Sequence, residues 1–439
     1  MFKETSKELL DFLSKSPTAF HAVENYRQIL NADGFKELLE SEHWDIVPGG
    51  KYYVTRNNTS ILAFKVGTKL DNYSFNIVTS HTDSPTFKVK ENAEIEVKNK
   101  YTQLNTEGYG GMLCATWLDR PLSIAGRVLV SEGNSIVTKL LNIDRDLLMI
   151  PNVAIHMNRA ANDGFKYNLQ VDMLPLLSAG DDRQKDFKQI IADELGVKTE
   201  DILGHDLYLY NRMAPSIWGA NEEFISAGHL DDLQCGFASL KALLAGYNDE
   251  SIDIMACFDN EEVGSGTKQG ADSTLLRDTL TRINNALGKT EEDYHRALAS
   301  SFMLSADNAH AVHPNHPEHT DATNCTYMNE GVVVKSHAGQ KYTSDGVSMA
   351  VVKSLASGAD VPLQYFANRS DKAGGSTLGN IAMAQASMNA VDIGLPQLAM
   401  HSSYETAGIK DTYYAISLMK ALFDSHIQET STHSLEIKR

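Results

Sequence analysis

An α/β fold carrying a β-rich insertion is what the sequence predicts, and three observations predict it. From about residue 228 onward, short apolar runs alternate with helix-like segments, the texture of a sheet covered by helices on both faces, a three-layer α/β/α domain. Between roughly 90 and 225 the texture changes to alternating, Thr- and Val-rich segments broken by turn residues, which reads as an antiparallel β unit. The length, 439 residues, exceeds one ordinary core and calls for about two or three domains.

The elements follow in order. Residues 5–14 and 18–31 place apolar side chains at helical spacing and predict two amphipathic helices, with Ser16 and Pro17 as the break. Residues 52–56 and 60–66 predict short strands. SFNIVTS (74–80) predicts a buried strand that ends at His81 and Asp83. EIEVKN, YTQLNTEG, PLSIAGRVLVSEG and SIVTKLLNI supply the strands of the insertion. A helix is expected over 186–195, and irregular chain from there to about 222. Helix 232–246 then leads to strand 251–258 and helix 271–286. Strands follow near 302–306, 331–337 and 361–367, with helices near 346–357 and 377–389 flanking the last. Strand 396–401 and helix 411–424 complete the core, and the polar tail after 427 is expected to fray. The chain thus divides into a discontinuous α/β unit, 1–90 and 226–439, and an insert, 91–225.

Bulk properties exclude several functions. A formal charge of −18 opposes nucleic acid, whose phosphates want a basic face. No apolar run is long enough for a membrane span. The start, MFKETSKELLDFLSKS, lacks the apolar core of a secretory signal, so a cytoplasmic protein is expected. Cys114, Cys235, Cys257 and Cys325 are scattered without a CxxC, which leaves neither a disulfide framework nor a thiolate metal site.

In open α/β sheets, ligands bind beyond the carboxyl ends of the strands. There the sequence places acids and imidazoles: His81 and Asp83, Glu261 and Glu262, Asp307, His401, and Asp231 with Asp232 at a helix start. Singly, each has an ordinary reading as a helix cap, a solvated loop residue or a satisfied core histidine. Jointly, they aim at one edge. Two imidazoles with several carboxylates and no thiolate suit zinc, cobalt or manganese. Two ions close together need a bridging carboxylate, and catalysis needs a further carboxylate that takes a proton from water. Glu261 and Glu262 are adjacent, so one can bind metal while the other reaches the water.

Two other segments compete locally. GSGTKQG (264–270) follows a strand, but its spacing is GxGxxxG and the two glutamates beside it repel a pyrophosphate. His310, His313, His316 and His319 crowd one stretch in which Pro314 and Pro317 forbid a helix that would align the imidazoles; a solvated loop is the favoured reading, with incidental metal affinity second.

SHTDSP (80–85), HLDDL (229–233), DNEEVGS (259–265), SADNAHAVHPN (305–315) and LPQLAMHSSYETAG (395–408) resemble, in this order, the M18 zinc aminopeptidases of the aspartyl aminopeptidase type. The resemblance implies a zinc-peptidase α/β domain with a β-rich dimerisation insert. It implies two zinc ions per subunit: His81 and Asp307 on one, Glu262 and His401 on the other, Asp231 between them, Glu261 as general base and Asp83 orienting His81. It also implies a dodecameric shell in which His156, from PNVAIHMNR (151–159), serves a neighbouring subunit's site. Lys335, Lys341 and Tyr342 fall where that type handles its substrate. Two positions depart from it: Lys341 and Tyr404 stand where the aspartyl-selective members carry Arg, and Lys lacks the planar fork that grips a carboxylate. The expected activity is removal of N-terminal residues from short peptides; N-acyl hydrolysis, a non-catalytic peptide-binding shell and a nucleotide-dependent enzyme are the alternatives.

Overall fold

The structure is a computed structural model and describes residues 1–180, 186–432 and 434–439. Its main sheet has nine strands, in the order Lys36–Leu38, Lys51–Arg56, Ser60–Val66, Ser251–Phe258, Ser74–His81, Phe302–Ala306, Asn389–Gly394, Val332–Lys335 and Leu363–Phe366. The four central strands, from Ser251–Phe258 to Asn389–Gly394, are mutually parallel. Their register brings their carboxyl ends level: Phe258 lies opposite His81, and Ala306 opposite Ile393.

Side-chain alternation on these strands feeds two cores. Val78, Met255 and Leu304 point to one face, where they meet Leu233, Leu240, Leu418 and Phe423 of helices Leu230–Ala245 and Asp411–Phe423. Ile77, Ile254 and Met303 point to the other, against Leu276 and Ile283 of helix Leu275–Ala286 and Leu378 of helix Leu378–Gln385. With both faces covered, the central strands read as unbroken buried runs; Ser74–His81 is buried along its whole length.

A second sheet of six strands has its own core of Phe87, Leu104, Ile124, Val128, Leu207 and Leu209. Its order is Ser135–Asn142, Leu122–Glu132, Ile202–Asn211, Thr86–Val97, Tyr101–Tyr109 and Leu176–Ala179. Helix Phe187–Leu195 packs beside it, capped by the Asp186 carboxylate and ended by Gly196 at φ 63. A third sheet of five strands joins Ser216–Trp218, Phe224–Ala227, Glu405–Gly408, Pro396–Leu398 and Ala309–His310.

The structure corrects the sequence reading in four places. Ile202–Asn211, expected to be irregular, is a strand inside the second sheet; its Asp206 accepts from Lys88 Nζ at 2.9 Å and Arg127 Nε at 2.8 Å. The helix expected to reach 389 ends at Gln385, and the main-sheet strand is Asn389–Gly394, not 396–401. Its buried Asp392 is satisfied by the hydroxyls of Ser305, Thr343 and Thr377, which lets a polar side chain sit in a central strand. The tail does not fray: His426–Ser431 and Ser434–Lys438 form an antiparallel pair. Helix Glu291–Ala299 was not expected, although Thr290 and Asp293 form a capping box that starts it.

Candidate metal centre

Each predicted ligand reaches the centre from a different element. His81 is the last residue of strand Ser74–His81, and Asp307 follows strand Phe302–Ala306 directly. Asp231 lies in the first turn of helix Leu230–Ala245, at non-helical φ −83 and ψ 110, so its side chain leaves the ordinary helical path. Glu261 and Glu262 occupy a tight turn, Glu261–Val263, entered through Asn260 at φ 62 and left through Gly264 at φ 94. His401 sits at φ 65 in the turn after strand Pro396–Leu398.

These side chains converge. His81 Nε2 lies 3.5 Å from Asp231 Oδ1. On the other side, His401 Nε2 lies 3.5 Å from Asp231 Oδ2 and 3.3 Å from Glu262 Oε1. Three overlapping groups offer ligand atoms within 4.8 Å of one another: His81 with Asp231 and Asp307, Asp231 with Glu262 and His401, and His81 with Glu261 and Glu262. Asp231 belongs to two of them, with a different imidazole facing each of its oxygens. Asp231 Oδ1 and Glu262 Oε1 are buried without a hydrogen-bond partner. Buried carboxylate oxygens left unpaired are costly, and a cation is the natural partner for atoms aimed into this space. Two imidazoles, three carboxylates and no thiolate fit zinc.

A surrounding shell fixes the ligands. His81 Nδ1 is 3.0 Å from the Asp83 carbonyl oxygen and 3.4 Å from its Oδ1. Asp83 in turn accepts the backbone N–H of Glu261 at 3.1 Å and of Glu262 at 3.2 Å. His401 Nδ1 is 2.6 Å from the Gly111 carbonyl oxygen, which leaves Nε2 facing the cluster. Lys335 Nζ donates to the Asn308 carbonyl at 2.8 Å and lies 3.8 Å from Asp307 Oδ1, over the ring of buried Tyr342.

The remaining predicted residues lie elsewhere. Lys341 is exposed and donates to the Gly374 carbonyl at 2.8 Å. His156 is exposed in a turn between strands Ser135–Asn142 and Leu176–Ala179 and belongs to no ligand group of its own chain among the described residues. The glycine-rich stretch 264–270 folds back on Asn260, whose Oδ1 accepts from Thr267 Oγ1 and Gln269 Nε2, each at 2.8 Å, rather than opening as a phosphate cradle.

The sequence profile described as "Aminopeptidase I zinc metalloprotease (M18)" matches residues 12–423. The chain belongs to the M18 family. Family membership makes it a metallo-aminopeptidase, a hydrolase of peptide bonds. It is 48% identical over 425 residues, 95% of this chain and 98% of the other, to a "Probable M18 family aminopeptidase 2" of Clostridium novyi. In three dimensions it resembles a chain from the cryo-EM structure of the Ape4 and Nbr1 complex, with TM-score 0.93, 35% identity and coverage of 96% of this chain and 86% of that one. It also resembles a chain of the mApe1 dodecamer of S. cerevisiae, with TM-score 0.84, 28% identity and coverage of 96% and 97%. Among the described residues, no helix is long and apolar enough to cross a membrane.

The electrostatics of the M18 centre follow from this crowding. Burial, with the charges of Asp307, Asp83 and Asp231, pushes Glu261 up to about 8 against the pull of His81. Burial and Asp231 raise Glu262 well above the usual carboxylate range. Burial opposes a charged His81, but Asp231 and Asp83 outweigh it and raise its pKa. Burial raises Asp307 against the pull of Lys335. Too many carboxylates share this volume for all to ionise without a cation, and bound metal inverts that balance.

Two contributors escaped the sequence reading. Glu405 is buried; its Oε1 accepts the backbone N–H of His401 at 2.8 Å and its Oε2 that of Asp231 at 3.0 Å. The Tyr109 hydroxyl, from the second sheet, donates to Asp83. Glu405 had a signal, its place in HSSYE close after His401; Tyr109 had none, since it ends an ordinary β strand.

Proposed function

We propose that this M18 enzyme removes the N-terminal residue of short peptides at a centre holding two zinc ions. His81 and Asp307 would hold one ion, Glu262 and His401 the other, with Asp231 shared. The observation that carries this reading is the Asp231 carboxylate, whose two oxygens lie 3.5 Å from His81 Nε2 and 3.5 Å from His401 Nε2. When bound, zinc supplies Lewis-acid polarisation of the scissile carbonyl and a nucleophilic water at neutral pH.

The chain's own residues do the rest. Glu261 takes the proton from the attacking water and returns it to the leaving amine. Its backbone N–H, held on Asp83 at 3.1 Å, keeps the turn and the carboxylate in register with His81. Asp83 orients the His81 ring and favours its metal-binding tautomer. The free α-amino group of the peptide meets a pocket rich in carboxylates, which a blocked amine cannot use.

Lys335, Lys341 and Tyr342 are the proposed substrate-facing residues. Lys335 is engaged by Asp307 and Asn308, and Lys341 by the Gly374 carbonyl. An acidic first side chain must compete with those partners, so the reading carries no strict acidic requirement. Residues 91–225 would act as the dimerising insert and 1–90 with 226–439 as the catalytic unit. Likeness to the mApe1 dodecamer supports assembly into a shell of twelve, with His156 donating to the developing oxyanion in a neighbouring subunit. A cytoplasmic location suits short peptides as substrate.

The test is Glu261→Gln, assayed on aminoacyl substrates with acidic, aliphatic and basic first residues and on N-acetylated counterparts. Wild type should cleave only free-amine substrates, and the variant should keep its zinc and its assembly while losing about 10²–10⁴-fold in turnover. Near-normal turnover in the variant, or equal cleavage of acetylated peptides by wild type, overturns the reading.

A further inference from the structure

The segment His313-Pro-Asn-His-Pro-Glu-His319 lies outside the catalytic cluster and gathers ligands of its own. One nitrogen each from His316 and His319 and one oxygen of Glu318 lie within 4.8 Å of one another, and all three residues are exposed. His316 Nδ1 is 3.0 Å from Glu318 Oε1. The His316 and His319 rings stack at 5.3 Å with 21° between planes, and the His313 ring is 5.4 Å from that of His316. Like groups sit together here without a buried core to force them.

The backbone is braced for this. Pro314 and Pro317 each fix φ between successive histidines. The N–H of His316 donates to the His313 carbonyl at 3.0 Å, and that of His319 to the His316 carbonyl at 3.1 Å. Thr320 Oγ1 closes the turn on the Pro317 carbonyl at 2.8 Å. The Arg369 guanidinium donates to the Glu318 carbonyl, and its charge is offset by Asp371, paired at 2.9 Å through Nε and through Nη2. Only exposed side-chain torsions must turn to close three ligands on one ion with bonds of about 2.0–2.2 Å.

We propose that His316, Glu318 and His319 form a separate, surface metal site for a borderline divalent transition ion, zinc or nickel. Two imidazoles and a carboxylate suit such ions and not calcium or magnesium, which want oxygen ligands. His319 and His313 also line a cavity of about 240 Å³ whose facing wall includes Gln397, Leu398, Ala399 and Met400, the residues leading to His401. An ion here clips the loop and so stiffens one wall of that cavity.

The experiment titrates nickel calorimetrically into the assembled protein with its catalytic zinc in place, zinc being counted before and after. Wild type should take up one nickel per chain with no loss of zinc. His316→Ala with His319→Ala should lose that equivalent while keeping peptidase activity and assembly size. Glu318→Gln should weaken uptake about tenfold. Equal nickel uptake in wild type and double variant, or none in wild type, overturns the proposal. Should the double variant misassemble, His319→Asn alone gives the same comparison.

Discussion

The Tyr109 hydroxyl donates to Asp83 Oδ2 at 2.6 Å, and this hydrogen bond joins the second sheet to the candidate metal cluster. Tyr109 closes strand Tyr101–Tyr109 of the second sheet, whereas Asp83 follows strand Ser74–His81 of the main sheet. Asn260 Nδ2 donates to the same phenolic oxygen at 2.7 Å. The tyrosine therefore ties together the turn that carries Glu261 and Glu262 and the Asp83 carboxylate, which lies 3.4 Å from His81 Nδ1.

Tyr109→Phe should leave the fold intact and loosen Asp83. Outer partners of metal ligands typically contribute about 10–100-fold in metal affinity or activity. Competition with a chelator should show weaker zinc binding in the variant, alongside a fall in kcat/KM of that size. Unchanged values on both measures would make the hydrogen bond a bystander.

Glu405 presents a second case of support. Its two oxygens receive the N–H groups of Asp231 and His401, two neighbouring members of the cluster that come from different elements. Burial first, and then the Asp231 charge, push its carboxyl up to about 8. Glu405→Gln retains one acceptor oxygen and turns an amide N–H toward a backbone N–H, so one ligand loses its anchor. A loss of about 10–100-fold in kcat/KM is expected, with zinc content per chain falling in parallel. Full zinc and full activity in the glutamine variant would contradict this.

What the sequence disclosed depended on which physical rule reached each residue. His81, Glu262 and Asp307 follow buried runs, so the strand-end rule singles them out as candidates without any structure. The same rule puts His401 at the end of a main-sheet strand, whereas it follows a strand of the third sheet and reaches the cluster through its own turn. Strand Asn389–Gly394 was hidden because Asp392 breaks its apolar run, and only the folded protein supplies the three hydroxyls that satisfy it. Tyr109 was hidden for a different reason: its partner follows a strand of another sheet, and nothing in a local pattern reports a contact of that kind.

His21 makes stability depend on pH away from the cluster. Burial lowers its pKa from 6.5 to about 4, against the opposing pull of Glu24. Above pH 6.5 both folded and unfolded chains hold it neutral, so the full stability is present there. As pH falls from 6.5 to about 4 the unfolded chain takes up a proton that the folded chain refuses, and stability is lost. The loss is at most about 1.4 kcal/mol per pH unit. Denaturant titrations at pH 7 and pH 4.5 should show wild type losing more stability than His21→Gln. Parallel losses in the two proteins would rule His21 out.

Gly394 ends the strand beside Asp307, where the backbones approach so closely that a side chain has no room. A Cβ built there would overlap the Asp307 carbonyl oxygen and stand 2.9 Å from Lys335 Cε and 3.1 Å from the Ala309 nitrogen. The obstacle is backbone inside a central sheet, held in place by the Asp307 N–H on the Ile393 carbonyl at 3.1 Å. The strand cannot yield without moving Asp307, and with it one corner of the cluster. Gly394→Ala should therefore cost about 1–3 kcal/mol of stability, the scale of overpacking, and should also lower zinc retention and kcat/KM. Gly346→Ala is the matched control: no atom lies within 4 Å of a Cβ at that helix start, so the same added methyl should leave Tm unchanged or raise it slightly. Equal Tm and zinc content in the two alanine variants would mean that Asp307 is not held by this contact.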